Sequence, residues 1–367
     1  MNLYAQYSGK LGLICFVIYL WMLFRYRKAY FGTMSDSRNY GFILFLIVLF
    51  STFNFVQYDT YHYAWSYDVM IKENNPRGVE VFYFWLVQVL PKSYLLWRFV
   101  IWGSAAVLIV LTAKRLNLNS EVLGFMIPLF FLTHFSGTRD SLGFSLMIFS
   151  AVLFVQSLEK KKALTIALGI IGVWASFYLH KSMFVFIGFL VLAFFLPMNK
   201  KTIIISLILF PILYTLASSL SGRIMSFEMF NKQQEEFMQR YMEQKANSLN
   251  SVGLITKVFE KGSLVLFIML VVKRMFYDKI VSTKAHLFVF KYAYLMIYIS
   301  FLFLGQDTSV WVSSRSLHAG MFALVLCASH CFDLRYTEKR TNLEKVSFVL
   351  MLVFTIWGQI SFIIKNW

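Results

Sequence analysis

Long apolar runs without a single charge decide what this chain can fold into. Gly41–Val56 (GFILFLIVLFSTFNFV), Phe99–Ala113 (FVIWGSAAVLIVLTA) and Ser263–Val272 (SLVLFIMLVV) contain no Asp, Glu, Lys or Arg. A helix that spans a bilayer needs about 20 mostly apolar residues. In lipid only a helix or a closed barrel satisfies its own backbone. Barrel strands alternate polar and apolar residues, and these runs do not. Composition agrees: 59% of the 367 residues are hydrophobic and 14% are charged, against about 25% charged in a soluble domain. There is too little charge to coat a soluble core. The sequence predicts an all-α polytopic membrane protein forming a single integral membrane domain over residues 1–367.

About twelve spans are expected, near 7–24, 41–56, 95–113, 121–136, 139–157, 163–179, 182–197, 201–219, 253–272, 284–304, 314–332 and 345–364. The stretch Val79–Leu90 is apolar but stops at Pro91 and is too short to cross comfortably. Basic residues arbitrate, because cytoplasmic loops carry the excess of Lys and Arg. Clusters fall after alternate spans: Arg25, Arg27, Lys28 and Arg38; Lys114 and Arg115; Lys160, Lys161 and Lys162; Lys200 and Lys201; Lys273, Arg274, Lys279 and Lys284; Arg335, Lys339, Arg340 and Lys345. All six share one side only if Val79–Leu90 dips in and returns. It is therefore expected to be re-entrant or interfacial, with both termini outside, and most of the chain's +17 then lies in cytoplasmic loops. That placement explains the basic charge without nucleic acid. The first apolar run has no small-residue cleavage site after it, so no cleavable leader is expected.

Two outer segments are long, 57–94 and 220–252. In the second, Phe230, Phe237 and Tyr241 with Met238 and Met242 suggest an amphipathic helix lying on the outer membrane surface or lidding a cavity. The three cysteines, Cys15, Cys327 and Cys331, lie in apolar runs and read as small buried hydrophobes. There is no phosphate-binding glycine loop and no His-Glu-x-x-His, Cys-x-x-Cys or other metal-ligand spacing. No cofactor or metal is expected.

Charge near membrane depth is costly and marks function by default. The candidates gather on the outer face: Asp59, Tyr61, Tyr63 and Tyr67 after the second span, Glu80 opening the short apolar segment, Arg98 starting the third span, and Arg139 with Asp140 starting the fifth. His180 and Lys181 sit at the tight junction of spans six and seven, Arg223 follows span eight, and Asp307 and Arg315 flank the loop before span eleven. Asp140 either pairs with Arg139 or caps its helix. The tyrosines also fit an interfacial belt.

The order and spacing of these marks resemble the EpsG/Wzy-type polysaccharide polymerases. The resemblance rests on Asp59-x-x-x-Tyr63-x-x-x-Tyr67, Glu80 before an aromatic-rich segment, Gly137-Thr138-Arg139 opening a span, Phe177-Tyr178-Leu179-His180-Lys181-Ser182, and a late Arg315. It covers about residues 40–330. Where that family often has Arg-Gln, this chain has Arg139-Asp140, which leaves Asp140 without an inherited role.

What the resemblance implies is a GT-C-like membrane glycosyltransferase of the bacterial cytoplasmic membrane, acting on its outer face in capsule, exopolysaccharide or O-antigen synthesis. Donor and acceptor would be glycans on undecaprenyl diphosphate, joined by inverting transfer without metal or nucleotide-sugar, with room for a chain-length regulator as partner. Glu80, Asp59 and His180 are then the expected catalytic groups. Arg139, Arg315, Arg223, Lys181, Arg98, Tyr63 and Tyr67 are the expected substrate-binding groups. Arginine forks suit a diphosphate leaving group, and a carboxylate suits the acceptor hydroxyl. An O-antigen ligase, or a flippase for lipid-linked oligosaccharide, is the alternative.

Overall fold

The structure is a computed structural model. It describes residues 3–27, 38–53, 58–74, 80–128, 138–180, 182–224, 251–278, 280, 282–303, 310–335 and 341–365. Within these lie fourteen helices and no strand: α1 Leu3–Arg25, α2 Tyr40–Phe53, α3 Tyr58–Glu73, α4 Val81–Val89, α5 Tyr94–Arg115, α6 Ser120–Met126, α7 Thr138–Glu159, α8 Ala163–Leu179, α9 Met183–Phe195, α10 Lys200–Ile224, α11 Ser251–Phe276, α12 Lys284–Leu302, α13 Val310–Cys331 and α14 Asn342–Lys365.

The described part of each expected span falls on a helix; 121–136 is described only as far as residue 128, 41–56 as far as 53 and 284–304 as far as 303. Among the described residues, four helical stretches are long and apolar enough to cross a membrane, Tyr94–Arg115, Asp140–Glu159, Lys200–Ser219 and Lys284–Leu302. Shorter apolar helices accompany them at Leu13–Arg25, Tyr40–Phe53, Ala163–Leu179 and Met183–Phe195. The fold is that of a helical multi-pass membrane protein. The expected amphipathic helix near 224–245 lies almost wholly outside the described residues.

Helix α13 lies deep in the core. From Ala319 to Phe332 almost every residue is buried, small and large alike. α10 is the opposite case: Ile204, Ile205, Ile208, Ile212 and Leu216 are exposed, the apolar face a lipid-contacting helix needs. Lipid tails are as apolar as leucine, so close van der Waals packing has to hold such helices together. α7 and α8 show how. A Cβ placed on Gly169 would lie 2.8 Å from Cβ and 3.0 Å from Cα of Phe154, and one on Gly172 would lie 2.2 Å from Oγ of Ser150. At Gly169 the two backbones therefore come into direct contact. Gly169→Val should cost about 1–3 kcal/mol through overpacking, read as a lower midpoint of thermal unfolding in detergent. An unchanged midpoint would show that α8 can shift freely.

Polar contacts sort the helix ends into two groups. Arg25 at the end of α1 pairs with Glu121 at 3.6 Å. Tyr40 at the start of α2 donates to the Leu118 carbonyl. Gln156 near the end of α7 donates to the Arg115 carbonyl at 2.8 Å, Arg335 beyond α13 donates to Asn117 at 2.9 Å, and His286 at the start of α12 meets Leu116 at 2.8 Å. Lys200 at the start of α10 sits 3.9 Å over the Tyr277 ring. Members of all six basic clusters thus lie at, or within a few residues of, one end of the bundle. α2 leaves this end and α5 returns to it, so the intervening chain begins and finishes at the opposite end.

That intervening chain holds a helix the apolar pattern did not suggest. α3 has 16 residues of mixed polarity, but no glycine or proline interrupts Tyr58–Glu73. It ends at Asn74, whose φ of 48° is a left-handed stop. α4 has nine residues, roughly 13 Å at the helical rise, against about 30 Å of hydrocarbon. Its length agrees with a segment that does not cross alone.

Candidate functional site

The site forms at the end opposite the basic loops, where the starts of α4, α7 and α13 meet the turn between α8 and α9. Each element presents one polar group there for a local reason. Glu80 is the residue before α4, in extended conformation (φ −62°, ψ 143°). α4 itself is seated by an aromatic nest. Tyr67 lies 5.3 Å from Tyr94 and 5.8 Å from Trp97, and Tyr83 lies 6.0 Å from Trp97. The Trp97 indole also donates to the Tyr83 carbonyl at 3.4 Å. His180 ends α8 in extended conformation, and its carbonyl accepts from the Met183 amide at 2.9 Å, so the reversal into α9 is tight. Asp140 occupies the first turn of α7, where a carboxylate is favoured by the helix dipole. Gly143, one turn on, lets α9 approach: a Cβ there would sit 3.1 Å from Cγ of Met183. Arg315 stands in the second turn of α13, which is tied to α12 by the Ser313 hydroxyl donating to the Ser300 carbonyl at 2.8 Å.

These four side chains form a continuous chain of alternating charge. His180 Nδ1 lies 2.5 Å from Glu80 Oε1. His180 Nε2 lies in ion-pair contact with Asp140 Oδ1, and Asp140 Oδ2 with Arg315 Nη1. Arg315 Nη1 is also 2.9 Å from His180 Nε2. Glu80, His180 and Asp140 are buried. The Arg315 side chain, 19% exposed, is the most open member. Isolated charges would not survive such burial, and mutual pairing is what makes them tolerable.

Burial alone would push the His180 imidazole toward its neutral form, but the Asp140 and Glu80 carboxylates outweigh it and raise its pKa above 6.5. Any stability this histidine contributes is therefore fully present below about pH 6.5. It is lost as pH rises through the raised folded value.

Of the residues expected from sequence, the structure brings together Glu80, His180 and Arg315, and adds Asp140. Tyr67 is 3% exposed and belongs to the aromatic nest. Arg98 is 1% exposed, with Nη2 donating to the Ser51 carbonyl at 2.6 Å and Nη1 to the Tyr94 hydroxyl at 3.4 Å. In this conformation both are packed among protein groups inside the bundle. Arg139 lies beside Asp140 in the first turn of α7, Asp59 and Tyr63 lie on α3, and Arg223 lies near the end of α10; their side chains, and Lys181 entirely, lie outside the described residues. Asp140 was visible in sequence only as a carboxylate next to Arg139.

Fold and site together define a helical membrane protein with a buried, charge-compensated cluster at one end. The family comparison then places it: residues 37–366 match the model of the EpsG family, and the chain belongs to that family. The resemblance seen in the short motifs holds over nearly the whole length. No curated protein and no solved structure matches the chain.

Proposed function

We propose that this protein polymerises polysaccharide by joining glycan repeat units carried on undecaprenyl diphosphate, on the outer face of the bacterial cytoplasmic membrane. Membership of the EpsG family supports the polymerase-type activity. The observation that carries the rest is the Glu80–His180–Asp140–Arg315 chain, at the end of the bundle away from the basic loops. In this reading about twelve helices cross in a GT-C-like arrangement, with α3 and α4 on the outer side.

The transfer is an inverting displacement. The acceptor hydroxyl oxygen forms a bond to the anomeric carbon of the donor glycan. The bond from that carbon to the diphosphate oxygen breaks, and its electron pair leaves on the diphosphate. The hydroxyl proton passes to the Glu80 carboxylate, held ionised and oriented by His180. Arg315 stabilises charge growing on the diphosphate, assisted by Arg139, Arg223 and Lys181. Tyr63 is assigned to sugar binding, the role its family resemblance implies. The reaction so drawn uses no metal ion or nucleotide-sugar.

Reconstitution in vesicles with one lipid-linked repeat unit tests this reading. A ladder of longer lipid-linked glycans supports it. Transfer only to a different acceptor makes the protein a ligase, and movement across the bilayer without a new bond makes it a flippase. Arg315→Ala should slow elongation about 100-fold or more, with Arg315→Lys recovering part of the rate. Full-length chains from Arg315→Ala would remove Arg315 from the diphosphate.

A further inference from the structure

The Nε2 atom of His180 has two neighbours with opposite demands. The Asp140 carboxylate lies against it and favours a proton there. The Arg315 guanidinium, 2.9 Å away, can only donate, so it bonds to Nε2 only when that nitrogen carries no proton. The charged groups described around the imidazole are Glu80 before α4, Asp140 on α7 and Arg315 on α13. Lys181, next in the chain, lies outside the described residues.

We infer that Asp140 is a positioning residue, which fixes His180 in its protonated form by holding Arg315 with one carboxylate oxygen and the imidazolium with the other. The inference rests on the polymerase reading and deepens it. With Nε2 protonated, Nδ1 also carries its hydrogen and donates to Glu80, keeping that carboxylate ionised and aimed. Without the Asp140 charge, two cations would face one another. His180 would then give up its proton, Nε2 would accept from Arg315, and Glu80 would lose its cationic partner. Asp140 thereby links the acceptor side of the site to the leaving-group side.

Two measurements test it. The first is an imidazole nitrogen NMR titration of histidine-labelled wild-type protein in detergent, with the His180 signal identified by its loss in His180→Gln. It should give a midpoint above the free-histidine value of about 6.5. A midpoint at or below that value overturns the inference.

The second is the pH profile of ladder synthesis. Activity should fall on the alkaline side as His180 deprotonates. In Asp140→Asn that limb should move toward acid by about one pH unit or more, with activity partly regained at lower pH, and Asp140→Glu should keep the wild-type limb. A uniform loss at every pH with the limb unmoved assigns Asp140 to packing alone and overturns the inference. If Asp140→Asn does not fold, the wild-type titration and Asp140→Glu decide. If wild-type protein makes no ladder, the polymerase reading fails, while the same NMR titration repeated on Asp140→Asn still reports whether Asp140 governs His180: its midpoint should fall below the wild-type one, and an unmoved midpoint overturns the inference.

Discussion

Glu80→Gln should stop chain elongation while the protein inserts and folds as before. The amide has nearly the shape of the carboxylate, and its oxygen can still accept from His180 Nδ1, so the seat of α4 is preserved. What it cannot do is take a proton from the acceptor hydroxyl. General-base removal costs about 100- to 10,000-fold in rate, enough to turn a long ladder into single additions or none. The measurement is the initial rate of ladder growth at matched protein levels, with the melting midpoint recorded beside it. Glu80→Asp, which keeps the charge and withdraws it by one methylene, should fall between the two. If Glu80→Gln polymerises at full rate and Asp59→Asn does not, the base is Asp59 and the buried chain at His180 serves only to bind and orient.

The largest effect on stability should come from the other end of the bundle. Arg274 near the end of α11 and Glu344 in the first turn of α14 form a two-pronged ion pair, with Nη2 2.6 Å from Oε2 and Nε against Oε1. Glu344 is completely buried and Arg274 nearly so. Glu344 also accepts from the Thr341 amide at 2.8 Å, while the Thr341 hydroxyl accepts from the Glu344 amide at 3.3 Å, closing the start of α14. Arg274→Ala leaves the carboxylate buried without its counter-charge and should cost about 3–5 kcal/mol. The readout is thermal unfolding in detergent, or loss of folded protein where the drop exceeds the margin. Replacing both partners by apolar residues of similar volume, Arg274→Met with Glu344→Leu, should restore most of the loss. If the double variant is no better than the single one, the pair is not the source of the destabilisation.

The two ionic clusters differ in what they can do. Arg274 and Glu344 form a two-pronged fork, with the Asp278 carboxylate a further 3.6 Å from Nε of Arg274, which suits a fixed joint between α11 and α14. At His180 a guanidinium and a carboxylate converge on one ring nitrogen, so proton position and partner choice are coupled. The second arrangement gives pH a place to act, and it occurs at the end of the bundle away from the basic clusters.

Much of the architecture was legible because bilayer physics writes it locally. Charge-free runs mark helices, short polar breaks mark their ends, and alternate basic clusters mark one end of the bundle. The contacts of Arg25, Tyr40, Gln156, Lys200, His286 and Arg335 bring those clusters together as the alternation requires. α3 was not legible, because its mixed composition carries no strong period. Arg98 and Tyr67 look like site residues in sequence, since a charge or phenol near a helix end looks the same whether it faces a ligand or a neighbouring helix. Only packing separates the cases, and here Ser51, Tyr94 and Trp97 claim them.

The sequence by itself determined that this chain is a bundle of apolar helices with its basic loops at one end, because each helix announces itself through its own residues and each loop through its own charge. Tertiary structure decided which distant polar residues meet. Glu80 and His180 are 100 residues apart, and Asp140 and Arg315 are 175 apart. A helical period fixes the face a side chain occupies but not the helix that will face it. That choice depends on where glycines such as Gly143 and Gly169 let backbones approach, and on which buried charge finds a partner to offset its loss of water. Asp140 gained its place in the site only through that pairing.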